Sequence, residues 1–194
     1  MSSDSFSRLN ISALVLVFIA GAMYCAAHLL NGWVFHFFEI SDHINFIYLP
    51  SFIRLVNVLV LGLLWGTLGT ASGGLMLLVW SSENLFIALC NIAVSASSAA
   101  IALIALRILQ QRNLSLTRLS DLLLLALLYA FLNALLHHLL WSLLDPSQLI
   151  EPNQLIYMIV GDLNGAVLGA VALRWLAKKT QIVQLIRKRA LNTH

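Results

Sequence analysis

Residues 120–144 read SDLLLLALLYAFLNALLHHLLWSLL, and this stretch decides the fold. At 1.5 Å of rise per residue it is long enough to cross a ~30 Å hydrocarbon layer as a helix. Its one charged residue, Asp121, stands at its beginning. Tyr129, Asn133, His137 and Trp141 recur every four positions, so the spacing predicts one shared helix face. A helix that is apolar all round, with one polar stripe, suits a membrane bundle in which the stripe looks inward at other helices.

The rest of the chain repeats the pattern. Of 194 residues, 60% are apolar and 10% are charged, against about 25% charged in an ordinary soluble domain. The mean hydropathy is +0.90. A soluble domain of this size could not hide that much apolar surface, which excludes a soluble enzyme and a nucleic-acid-binding domain. Disorder is excluded because no long polar tract exists. Spans are expected at 11–30, 46–66, 67–80, 85–109, 120–144 and 155–177. The fold class is thus an all-α integral membrane protein, with about six transmembrane helices in one bundle over residues 1–180. A basic cytoplasmic tail is expected at 181–194. Gly66, Thr67, Gly69, Thr70, Ser72, Gly73 and Gly74 mark the expected break between the second and third spans, as a hairpin or as a broken helix lining a cavity.

Charge sets the orientation. Arg8, Arg107, Arg112, Arg118, Arg174, Lys178, Lys179, Arg187, Lys188 and Arg189 all fall on one side of a six-span arrangement. Glu39, Asp42, Glu83, Asp145 and Glu151 fall on the other. The positive side is cytoplasmic by the positive-inside rule, so both termini are expected inside. Trp33, Tyr48, Trp80, Trp141 and Tyr157 fit the outer interface, and the aromatic stretch 33–40 is expected to lie along it. Gly161, Gly165 and Gly169 on the sixth span, and Gly62 and Gly66 on the second, have the spacing of close helix packing.

Polar residues inside the spans are costly and need a partner or a purpose. Arg54, Asn57, Asn91, Asn133, His137, His138, Asp162 and Asn164 fall in one slab, expected ~10–12 Å below the outer surface from the helical rise. Two readings stay open. One is an outward-facing pocket with a polar floor; the other is a set of structural cross-links around an Arg54–Asp162 pair. Histidines titrate near neutral pH and can ligate haem or metal. No ligand spacing points that way, so no cofactor and no metal are expected. Nucleophile-elbow, zinc-protease and P-loop signatures are also absent from the sequence, which argues for a non-enzymatic role. Cys25 and Cys90 read as small buried hydrophobes.

Two segments resemble a known family. Tyr48-Leu49-Pro50-Ser51-Phe52-Ile53-Arg54-Leu55 enters an early span ahead of a Gly-rich turn, and Gly161-Asp162-Leu163-Asn164-Gly165 lies in the last span. Both resemble short motifs of bacterial membrane-associated sensor domains of the first MASE class, over roughly residues 10–180. The sequence departs in having one proline where the family has two, and Phe52 where a small residue is usual. No kinase or cyclase output domain is expected in this chain. The resemblance implies a sensory or regulatory bundle of a bacterial inner membrane, with Arg54 and Asp162 as motif residues. Lacking an output domain, it is expected to act through a membrane or cytoplasmic protein partner. Membrane lipid and a small ligand from the outer side complete the expected contacts, with no nucleic acid. The chain also looks similar to substrate-binding subunits of modular vitamin transporters. A structural accessory subunit of a larger membrane complex is the third reading.

Overall fold

The computed structural model describes residues 3–41, 44–112, 114–115, 118–144 and 152–179. Among them are six helices: α1 (Ser3–Val34), α2 (Pro50–Leu61), α3 (Leu63–Leu77), α4 (Leu85–Gln110), α5 (Leu119–Leu144) and α6 (Pro152–Lys179). Five stretches are long and apolar enough to cross a membrane, and α2 is the shorter exception. The basic tail expected at 181–194 lies outside the described residues.

Helices consecutive in the chain alternate in direction. Asn91 and Ser95 of α4 meet Trp141 and His137 of α5 in antiparallel register. Helix α3 folds back along α2, with Asn57 beside Thr70. It then runs parallel to α1, setting Gly69 on Ala20 and Gly73 on Tyr24. One end of the bundle, the mouth, is therefore where α1, α3 and α5 finish and α2, α4 and α6 begin.

The break between the second and third spans is not at 66–74. It is at Gly62, whose φ of 88° and ψ of 177° lie in a region that only glycine occupies readily. The cluster expected to break the chain is helical throughout and forms the packing face of α3. Gly66 lies on the backbone of Asn57 and Val58, and Gly69 and Gly73 lie on α1. Glycine weakens an isolated helix by about 1 kcal/mol per residue. Here that cost is offset by backbone approaches a side chain would prevent. Gly62 and Gly66 are consequently not two steps of one helix face.

The second span also begins differently. Residues 44–49 are non-helical, and Pro50 opens α2, where its missing N–H is no loss. This incoming strand lies along α6. A Cβ on Gly161 would strike the Asn45 carbonyl, one on Gly165 the Tyr48 carbonyl, and one on Gly169 the Phe52 ring. The tandem glycine face thus accommodates a bare backbone and one aromatic ring. The segment's backbone is tied to the helices beside it: Tyr48 N–H donates to the Gly161 carbonyl at 3.1 Å, and Leu49 N–H donates to Asn31 Oδ1 at 2.8 Å. The Asn164 amide donates to the Phe46 carbonyl at 2.8 Å. Irregular backbone at membrane depth persists only when buried and bonded in this way.

Segment 33–40 is divided among three structures. Trp33 and Val34 end α1, residues 36–38 form a 3-10 turn, and Glu39–Ser41 pairs antiparallel with Ile44–Asn45. The half of the bundle away from the mouth is an apolar core that includes Leu55, Val58, Leu103, Leu106, Leu125 and Ala166. The α4–α5 link at that end is closed by Arg112, which donates to both oxygens of Asp121 at 2.7 and 2.6 Å. Asp121 also accepts the Ser115 N–H at 3.0 Å.

Candidate functional site

The mouth half is hollow. A cavity of about 560 Å³ opens between the paired strands Glu39–Ser41 and Ile44–Asn45 and the α3–α4 link, and Arg54, Tyr24, Tyr48 and Asp162 lie at its floor. Four of the eight expected residues line it: Arg54, Asn91, His137 and Asp162. Asn133 is fully buried beneath. Asn57, His138 and Asn164 do not line the cavity. Asn57 donates to Thr70 Oγ1 at 3.2 Å and fastens α2 to α3. His138 is buried with its ring edge toward Trp141, at 5.1 Å between centroids. Asn164 is exposed and holds the incoming strand. The slab is therefore divided between residues that line the cavity and residues that fasten neighbouring segments.

Arg54 is the hub. It is 3% exposed. Nη1 donates to the Tyr129 hydroxyl at 3.1 Å and to Asn133 Oδ1 at 3.2 Å. Nη2 donates to the hydroxyls of Tyr24 at 2.9 Å and Tyr48 at 3.3 Å. The guanidinium carbon also lies 5.4 and 5.3 Å from the ring centroids of Tyr24 and Tyr48, within range of cation–π attraction. Three of the chain's four tyrosines thus surround one arginine.

Asp162 does not take a hydrogen bond from that guanidinium. One carboxylate oxygen accepts from the Ser51 hydroxyl, and the other accepts from Asn133 Nδ2 at 2.6 Å. Asn133 stands between the charges, its carbonyl toward the cation and its NH₂ toward the anion. The amide dipole therefore favours both ends. The expected pair exists at one remove, with a side chain in the place a water or ligand could have taken.

The floor lies well below the mouth. Asp162 is ten residues past Pro152 on α6, and Tyr24 is ten before Val34 on α1. Asn133 is eleven before Leu144 on α5. These offsets correspond to about 15–17 Å of helical rise.

The walls carry further polar contacts. His137 Nε2 and Ser95 Oγ are 3.1 Å apart, and Trp141 Nε1–H donates to Asn91 Oδ1 at 2.9 Å. His28 Nδ1 shares a hydrogen bond with the Tyr48 hydroxyl at 3.1 Å. Tyr24, Ser51 and Asn31 carry no signal in the sequence beyond being polar in apolar runs. Tyr48 reads as an interfacial anchor, yet its hydroxyl reaches Arg54. Among the described residues, no group of three or more His, Cys, Asp or Glu side chains is placed to hold a metal ion. Asp42 and His43 lie outside the described residues.

Comparison with protein-family models, curated proteins and solved structures gives no match to this chain.

Proposed function

We propose that this protein is a non-enzymatic, multi-pass sensory or regulatory module of a bacterial inner membrane. It would take a small ligand from the outer side and act through a membrane or cytoplasmic protein partner. The observation that carries this reading is the mouth-side cavity of about 560 Å³, with a charged and hydroxyl-rich floor above an apolar core. A bundle needing polar groups only as cross-links has no reason to leave such a volume unfilled, because interiors normally pack without voids larger than a water. The floor is shared by α1, α2, α5 and α6. A ligand there would bias how these helices sit against one another, and a partner could read that change at the far end. The positive-inside rule supports a cytoplasmic far end, where Arg107, Arg112 and Arg118 lie.

The same cavity supports a second reading, the substrate-binding subunit of a small-solute carrier. The sealed core below the floor favours binding over passage, so a separate transport partner would be required. The experiment is a density map of the protein purified in lipid nanodiscs, with native mass spectrometry of what co-purifies. Density in the cavity, with a matching bound mass, supports either ligand reading. A cavity filled by rearranged side chains, with no bound mass, overturns both and leaves a structural accessory subunit.

A further inference from the structure

The distribution of satisfied and unsatisfied groups around the cavity identifies a class of ligand; this step rests on the ligand-binding reading above. At the floor the anion has a donor on each oxygen. Asp162 accepts from Ser51 and Asn133, one bond to each oxygen. The cation is not neutralised in the same way. All four hydrogen bonds that the Arg54 guanidinium makes among the described residues go to neutral groups, three hydroxyls and one amide. Its Nε–H is buried and has no partner among the described residues. The Tyr24 hydroxyl accepts from Arg54 and keeps its own proton to donate, and no acceptor for that proton is found among the described residues. A phenol that accepts from a guanidinium is polarised into a stronger donor. What the floor offers is therefore a donor backed by a positive charge.

The mouth is opposite in sign. Glu39 and Glu83 line it, and Arg54 is the one Lys or Arg among the lining residues. Between floor and mouth the walls carry the apolar and aromatic side chains of Leu77, Ile92, Trp80 and Trp141, beside polar groups of Asn91, Ser95, His137 and His28 that bond to one another or to neighbouring side chains. We propose that the cavity takes a zwitterion with an apolar body, of the amino-acid type. Its carboxylate would sit down against Tyr24 and Arg54, and its ammonium up toward Glu39 and Glu83. A simple anion would leave the acidic mouth unused and would be repelled on entry. A simple cation would place nothing on the Tyr24 donor.

The test uses four indole-bearing probes on the full chain in nanodiscs at pH 7: L-tryptophan, indole-3-propionate, tryptamine and uncharged 3-methylindole. Binding is read by calorimetry and by the ligand-induced rise in melting temperature. L-Tryptophan is expected to bind about tenfold more tightly than either singly charged analogue, the amount one charge-assisted contact contributes. Tyr24→Phe should weaken L-tryptophan and indole-3-propionate by about five- to tenfold and leave tryptamine unchanged. Glu83→Gln, at an exposed position, should weaken L-tryptophan and tryptamine and leave indole-3-propionate bound at least as tightly, because a charge that repels the anion is gone. The melting temperature without ligand shows whether each variant has folded, and Glu83→Gln keeps the test open should Tyr24→Phe not fold. If tryptamine or indole-3-propionate binds as tightly as L-tryptophan, the zwitterion assignment is wrong while the cavity remains a binding site. If none of the four binds, the assignment is also wrong, and the nanodisc density map decides separately whether the cavity binds anything.

Discussion

Arg54 and Asp162 are joined through the opposite ends of one amide, that of Asn133, with contacts of 3.2 Å to the guanidinium and 2.6 Å to the carboxylate. The arrangement places a buried cation and a buried anion on three helices at once. Asn133 should therefore matter more to stability than any other asparagine of the bundle.

Asn133→Leu removes both contacts and leaves each charge without its shared partner. A loss of roughly 3–5 kcal/mol is expected, as for breaking a buried pair. Asn57→Leu removes one bond to Thr70 and should cost about 0.6–1 kcal/mol, a usual value for one interhelical hydrogen bond in a membrane. Thermal unfolding of the two variants in the same detergent compares them. Equal losses would mean that the amide is not a bridge.

Arg54→Met and Asp162→Leu should each destabilise the bundle, and the double variant should lose less than the sum of the two. A coupling of about 1–3 kcal/mol is expected for groups in one network. The double-mutant cycle is measured by the same unfolding assay. Simple additivity would show that the two charges are satisfied independently of each other.

Gly165→Ala tests the strand-in-groove packing. Its Cβ would meet the Tyr48 carbonyl, backbone that cannot rotate away. Poor expression or a large drop in melting temperature is expected. Gly32 provides the contrast, since a Cβ there meets nothing within 4 Å. Gly32→Ala, inside α1, should be neutral or stabilise by up to ~1 kcal/mol. Similar behaviour of the two variants in a fluorescence size-exclusion melt would argue against the groove.

Gly62→Ala forces a side chain into a backbone conformation with φ of 88°. A cost of about 1–3 kcal/mol is expected. Gly66→Ala should be at least as harmful for a different reason, direct contact with the backbone of Asn57 and Val58. Inserting a second glycine after Gly62 separates the two causes. It relaxes the turn and should improve the Gly62→Ala protein, but not the Gly66→Ala protein.

A reporter fused after His194 should be active in a cytoplasmic assay and silent in a periplasmic one, because the Arg and Lys residues outside the bundle interior gather on that side. A periplasmic signal would reverse the direction in which the cavity opens and would remove the proposed outer source of its ligand.

Some of this was legible in the amino-acid sequence, for a reason that is local. Hydropathy is a running sum, so the apolar stretches from Ile11, Leu85 and Leu119 announce helices of membrane length without reference to any neighbour. The four-residue recurrence of Tyr129, Asn133, His137 and Trp141 places them on one face by helix geometry alone, and the structure uses all four at or beside the cavity. Polar residues in apolar runs are conspicuous because each is expensive, so Arg54 and Asp162 stood out. What the tertiary structure decided is everything that depends on two segments meeting. Residues 66–74 contain the residues of a break and form a helix, because their missing side chains let α3 rest on α1 and α2. The true break fell at Gly62, a single glycine that looks like a packing residue until its positive φ is seen. The tandem glycines of α6 could have held a helix and instead hold the non-helical segment 44–49 and the Phe52 ring. Tyr24 and Asn133 acquired their roles from helix registers. Register is set by side-chain fit summed over whole interfaces, and no residue carries that information in its own neighbourhood.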